Sequence, residues 1–239
     1  MANKFYNNLV SHWLMNDDLA TTAVLDTTGV NDGVLNVNTD TISVTGKIKK
    51  ALEFDGVDDY IEIADSDSLD LGTGDFSISI WIYPTNNDSN RIFFVKAGGW
   101  AVGQATNGIL INAGANKIGF ETRDGTNRNI LLTSSGTITL NAWHHIVVTR
   151  DAGVYRKIYI DGVEQATTDV ATSVDVTNAI ALRISYDNRD TRRFIGKIDD
   201  VRIYDTAISA YYVKLLYNNG AGTEDENVQS NTLLLGCNF

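Results

Sequence analysis

The chain has 239 residues, a formal charge of −11 and a pI near 4.6. That balance excludes the clustered Lys and Arg that a polyanion requires, so nucleic acid is not an expected partner; neutral sugars, divalent cations or a basic protein suit it better. Cys237 stands alone, which excludes an intrachain disulfide, and no Cys/His spacing fits zinc.

The first eighteen residues, MANKFYNNLVSHWLMNDD, lack the apolar core of a secretory signal, and no run is long enough to span a bilayer. Neither an export leader nor membrane insertion is therefore expected. The length suits one all-β domain over residues 1–219, followed by a tail over 220–239. Residues 51–63, ALEFDGVDDYIEI, intersperse Glu53, Asp55, Asp58, Asp59 and Glu62 with Leu52, Phe54, Tyr60, Ile61 and Ile63. Gly56 is expected to turn the chain there and divide the segment into two strands. FSISIWIYP (76–84) alternates with period two: Phe76, Ile78, Ile80 and Ile82 on one face, Ser77, Ser79, Trp81 and Tyr83 on the other. RIFFVKA, KIGFET, NILLT, HHIVVTR, YRKIYI, AIALRIS and IDDVRIY follow as further strands. Gly98-Gly99, Asp124-Gly125, Ser135-Gly136 and Asp161-Gly162 punctuate them. Asp161-Gly162 suits a type I′ hairpin, which needs positive φ at both central residues. One helix is expected over 209–220, with Ser209 as N-cap and Asn219-Gly220 as its stop. The tail is polar and then apolar, ending in NTLLLGCNF; it reads as an extra strand, a strap or a partner-docking segment. Short, regularly spaced strands with one late helix give an all-β, two-sheet antiparallel jelly-roll sandwich.

The motifs SHWLMND, LDTTGVNDG, ALEFDGVDDYIEI, SISIWIYPT, NAWHHIVVTRDAGVYRKIYIDGVEQA and FIGKIDDVRIYDTAIS occur in this order. Together they resemble the laminin-G-like, concanavalin A-like jelly-roll domains from about residue 9 to 219. The resemblance implies a structural Ca2+ pinning the N-terminal strand, the Phe-Asp-Gly turn and the closing Ile-Asp strand. Carried onto this chain, it implicates Asp17, Asp55, Gly56 and Asp199, with Asn31 and Asp32 as further ligands; Val30 departs from the family's usual Gly-Asn pair in that loop. The alternative is that these acids cap turns and pair with Lys47, Lys49 or Lys50.

Laminarinase-type glycosidases share this fold and carry Glu-x-Asp-x-x-Glu on a central strand. EFDGVD (53–58) approaches that pattern but ends in Asp, and Gly56 interrupts the alternation that would align the acids, so no catalytic residue is assigned. His144 and His145 are adjacent on a strand and should face opposite sides, one inward and one exposed; His12 reads as structural. Trp81 and Trp143 are expected in the core. Sugar binding needs an exposed aromatic and a few fixed polar groups. Trp100 is a candidate platform. RDGTNRN (123–129) supplies Asp124 and Asn127, and YDNRDTRR (186–193) supplies Tyr186, Asp187, Asn188 and Arg189. The expected function is a non-catalytic recognition or adhesion module for a glycan or a protein surface. Its expected setting is a phage or virus particle, with capsid or tail proteins, or a second copy of the chain, as partners. A purely structural virion protein and a glycoside hydrolase are the alternatives.

Overall fold

The computed structural model describes residues 8–86, 91–98, 107–114, 116–165, 174–186 and 192–224. Among them the chain order begins β1 (Leu9–Trp13), β2 (Ala23–Val24), β3 (Gly33–Leu35), the single-turn helix α1 (Thr39–Ile42), β4 (Ser43–Thr45), β5 (Lys50–Phe54) and β6 (Ile61–Ile63). It continues through β7 (Phe76–Pro84), β8 (Arg91–Ala97), β9 (Asn107–Gly114), β10 (Lys117–Asp124), β11 (Arg128–Leu132) and β12 (His144–Asp151). β13 (Tyr155–Ile160), β14 (Val163–Glu164), β15 (Leu182–Ile184), β16 (Gly196–Tyr204) and the helix α2 (Ala210–Tyr217) complete it.

Among the described residues the strands form two eight-stranded antiparallel sheets, the two-sheet arrangement of a jelly roll. The first runs β14-β13-β12-β7-β16-β5-β4, with β1 also paired to β16; the second runs β11-β10-β9-β8-β15-β6-β3-β2. Phe76, Ile78, Ile80 and Ile82 of β7 meet Phe94, Ile111, Phe120 and Ile184 of the second sheet in one shared core. Period-two alternation therefore sets the inner face, as the sequence predicts.

The other face of the first sheet is also largely covered. Ser209 caps α2 by accepting a bond from the Tyr212 amide, and Asn218 ends the helix in the left-handed conformation. The helix lays Tyr212, Val213 and Leu216 on Val147, Tyr159 and Tyr204. This second packing layer explains why Ser77, Ser79 and Trp81 are buried although they point away from the main core. Asp161 and Gly162 both take positive φ between β13 and β14, as expected for their hairpin.

Three local expectations are corrected. His144 and His145 are both buried: His144 bonds Asp161 and Thr139, and His145 bonds Ser79 and stacks on Trp81. Trp143 is not in the core; it is partly exposed against Tyr83 on the outer face of the first sheet. Strand AIALRIS shortens to Leu182–Ile184.

Beneath the segment that follows α2 lies a buried ionic group. Arg202 Nη2 bonds Asp200 Oδ1 at 2.9 Å and also the Thr223 carbonyl; His12 Nε2 lies 2.7 Å from the same Asp200 oxygen. Burial opposes the charge on Asp200, but the Arg202 guanidinium and His12 overcome it and hold the carboxyl below its usual range. The adjacent Asp199 behaves oppositely. Its Oδ2 accepts bonds from the Lys47 and Ile48 amides, its Oδ1 has no hydrogen-bond partner among the described residues, and burial pushes the carboxyl up to about 8. A carboxyl raised on folding stabilises most below its unfolded value and loses that contribution as pH climbs through the folded value. Asp199→Asn keeps an acceptor for the two amides and removes the charge. Its melting temperature should rise relative to the unmodified chain at about pH 8 and converge with it near about pH 4. Equal differences at both pH values in a thermal melt would contradict the assignment.

Candidate functional site

Strands β6 and β15 are neighbours, with Arg183 opposite Glu62 and Ile184 opposite Ile61. The alternation that buries Ile61, Ile63, Leu182 and Ile184 turns Glu62 and Arg183 outward, where Arg183 Nε donates to Glu62 Oε2 at 2.8 Å. Tyr60 precedes β6 and Tyr186 follows β15. Their ring centroids lie 5.1 Å apart at 58°. Two guanidiniums frame the pair. Arg183 lies 4.7 Å from the Tyr186 centroid, and Arg193 lies 5.5 Å from Tyr60 and 5.2 Å from Tyr186. Arg193 is fixed in turn because its strand-like segment bridges Ile92, whose amide donates to the Arg192 carbonyl at 2.7 Å.

The acidic turn adjoins this rim. Asp55 Oδ1 accepts from the amides of Val57 (2.7 Å) and Asp58 (3.3 Å), and Asp59 Oδ2 accepts from the Asp55 amide. Gly56 has φ +76°, and a Cβ there would lie 2.2 Å from Ile195 Cγ1. The turn is thus pressed against the segment that carries Arg193, which only glycine permits. Asp55, Asp58 and Asp59 bring ligand oxygens within 4.8 Å of one another. Burial raises Asp59, the least exposed of the three. Beside Tyr60 a depression of about 230 Å³ is lined by Asp32, Val34, Leu35, Asn36, Tyr60, Glu62 and Ala64. Aromatic faces, the partly exposed Arg183 guanidinium and carboxylate acceptors at one edge suit a hydroxyl-rich ligand, with Arg193 buried beneath the rings.

The residues singled out from the sequence are distributed as follows. Asp55, Gly56 and Tyr186 share the rim, and Asp32 lines the depression beside it. Asp17 and Asn31 lie in the β1–β3 region. Asp17 Oδ1 accepts from the Leu25 amide, and burial raises its carboxyl; Asn31 bonds Ser11, Ser66 and Ser68. Asp199 is under the Lys47–Ile48 loop on the first sheet. The expected convergence of Asp17, Asp55 and Asp199 is therefore not formed. Among the described residues the grouped acids are Asp55, Asp58 and Asp59, because the Asx turn folds the acids of one loop onto each other. Asp124 and Asn127 bond one another in the β10–β11 turn, at the far end of the second sheet from β6, and the Asn127 amide lowers the Asp124 carboxyl. Trp100, Asp187, Asn188 and Arg189 lie outside the described residues. Glu53 faces outward from the first sheet, whereas Asp58 lies in the turn beyond the strand, so the glycosidase-like spacing does not place its acids on one strand face. Tyr60, Arg183 and Arg193 were not singled out. Alternation with Ile61, Leu182 and Ile184 marks Tyr60, Glu62 and Arg183 as outward, but their meeting depends on a pairing across more than a hundred residues.

A two-sheet antiparallel sandwich bearing polar and aromatic groups at one loop edge is the architecture of the lectin-like jelly rolls. The chain belongs to the concanavalin A-like lectin/glucanases superfamily, whose Laminin_G_3 model matches residues 55–214. It is similar to Adhesion G-protein coupled receptor V1 of Danio rerio, with 23% identity over 159 residues, 64% of this chain and 2% of that protein. The binding domain of Paraclostridial Mosquitocidal Protein 1 superposes with a TM-score of 0.70 at 19% identity, over 91% of this chain and 53% of that one. Domain 4 of AbnA, a GH43 extracellular arabinanase from Geobacillus stearothermophilus solved with arabinotriose, gives 0.62 at 21% identity, over 87% and 97%. The botulinum neurotoxin serotype D binding domain gives 0.67 at 17% identity, over 90% and 53%. The chain thus spans 2% of the curated relative and about half of the toxin domains.

Gly56→Ala tests how the rim is held. The added methyl must displace Ile195 and force a left-handed alanine, so unfolding free energy should fall by about 1–3 kcal/mol. A urea titration that showed no loss would mean the turn does not press on the Arg193 segment.

Proposed function

We propose that this domain is a non-catalytic recognition module that binds carbohydrate at the Tyr60–Tyr186 rim. The observation that carries the reading is the tyrosine pair flanked by Arg183 and Arg193. A sugar ring packs on an aromatic face through its C–H groups, while the Arg183 guanidinium and the Glu62 carboxylate take its hydroxyls and the buried Arg193 holds the tyrosines in place. That domain 4 of the arabinanase was solved with arabinotriose supports a sugar as the ligand class. Retention on an immobilised glycan panel tests it. At least one glycan should be retained, and Tyr60→Ala and Tyr186→Ala should each weaken retention about ten-fold, or about 1.4 kcal/mol. Retention by no glycan, or unchanged retention in both variants, overturns the reading. The setting proposed is an extracellular or particle surface, including that of a phage or virus. Antibody labelling of purified particles tests the virion setting separately from the sugar.

Calcium is part of the proposal, moved to the turn that the fold assembles. Ca2+ takes six to eight oxygens, and Asp55, Asp58 and Asp59 offer three carboxylates within 4.8 Å, the remainder coming from carbonyls and water. Asp26 is a poorer ligand, because its oxygens already accept bonds from the His12, Thr28 and Asn31 amides and the Thr28 hydroxyl. A cation bound only by the folded state raises the melting temperature, so Ca2+ should stabilise the chain relative to chelator, and Asp58→Asn should reduce the effect. Identical melts with and without Ca2+ would remove the metal.

A further inference from the structure

A second row of aromatic and charged groups crosses the outer face of the first sheet, away from the rim. On adjacent strands β5, β16 and β7, Glu53 stands opposite Lys197 and Lys197 opposite Tyr83. Trp143, just before β12, extends the row; its ring centroid is 5.5 Å from that of Tyr83 at 62°. With neighbouring strands about 4.8 Å apart, the four residues span about 14 Å, comparable to three pyranose rings end to end.

The row lies where the cover of this face stops. The next row inward, Asp199, Trp81 and His145, is closed: Tyr217 stacks on Trp81 and His145, and all three row members are buried. Tyr83, Trp143 and Lys197 are partly exposed and Glu53 is exposed. Lys197 Nζ is held 5.3 Å from the Tyr83 centroid. Among the described residues neither Lys197 nor Glu53 makes an ion pair, and neither the Tyr83 hydroxyl nor the Trp143 indole N–H has a hydrogen-bond partner. The cation–π attraction alone accounts for a surface lysine over a tyrosine. It leaves unexplained why a tryptophan remains partly exposed beside it.

We propose that this row is a second ligand site, specific for an acidic oligosaccharide. The pyranose faces lie on Trp143 and Tyr83, a uronic-type carboxylate meets Lys197, and sugar hydroxyls donate to Glu53. The site stands on residues that the rim does not use, so each can fail without the other.

The test titrates the intact chain with trigalacturonate, with cellotriose as the neutral trimer, by calorimetry. Trigalacturonate should bind saturably and more weakly as salt is added. Trp143→Ala and Lys197→Gln should each weaken it about ten-fold, cellotriose should bind at least about ten-fold more weakly, and Tyr186→Ala should leave trigalacturonate binding unchanged. Lys197→Gln is a surface change that leaves the fold intact, so it decides the matter alone if Trp143→Ala melts early. No saturation with trigalacturonate, equal affinity for cellotriose, or full affinity in Lys197→Gln overturns the proposal. Loss in Tyr186→Ala with none in Trp143→Ala also overturns it, by placing the acidic sugar on the rim.

Discussion

Arg202 is fully buried, and its charge has to be answered inside the protein. Asp200 answers most of it, and Asp200 is in turn within hydrogen-bond distance of His12 on β1. The Thr223 carbonyl takes another guanidinium N–H. The Asp200–Arg202 pair thereby ties two distant stretches to β16: the first strand and the segment after α2. Removing one member of such a group leaves a buried charge uncompensated, a loss of about 3–5 kcal/mol. The positive φ of Asp200 and the irregular register between Asp199 and Arg202 are the backbone counterpart, because a bulge re-aims consecutive side chains. It points Asp199 under the Lys47 loop and Asp200 toward His12.

That tie determines which parts of the sandwich stay open. With the post-helix segment fastened over Arg202, Tyr217 is positioned to stack on Trp81 and His145. The stack removes a tryptophan, a histidine and a serine from solvent. Burial holds His145 neutral, with its value lowered to about 4, and its Ser79 partner is fully buried, so the Ser79–His145 contact is structural packing rather than an accessible nucleophile and base. One row further along the same strands the cover ends, and Tyr83, Trp143 and Lys197 are left in reach of a ligand. On the other sheet the rim depends on Gly56, whose missing side chain lets the acidic turn and the Arg193 segment touch.

The fold was legible because alternation is local. FSISIWIYP assigns its own faces, Asp161-Gly162 its own turn, and Ser209 its own cap. The sites were less legible because each depends on long-range pairing. Tyr186 stood out as an aromatic in a polar loop, but its partner Tyr60 lies on another strand that only the register identifies. The acids of the Asp55 turn could be counted from the sequence, yet whether they met Asp17 and Asp199 or one another was a question of loop geometry. The place of Trp143 is hidden in the sequence for a related reason. Alternation says that it opposes His144, but not that α2 ends before covering it. His145 shows the converse, an outward position buried by an element seventy residues later.

The fastening of β1 and of the segment after α2 to one strand has a mechanical consequence. β1 pairs with β16 from Leu9 to Trp13, and Thr223 is bonded to Arg202 on that same strand. Tension applied between residues 8 and 224 would pass along a short path through β1, Arg202 and the post-helix segment. The second sheet, with its tyrosine rim, and the open row on the first lie outside that path. Load applied there reaches β1 and the post-helix segment before it reaches the strands that carry the tyrosine rim and the open row.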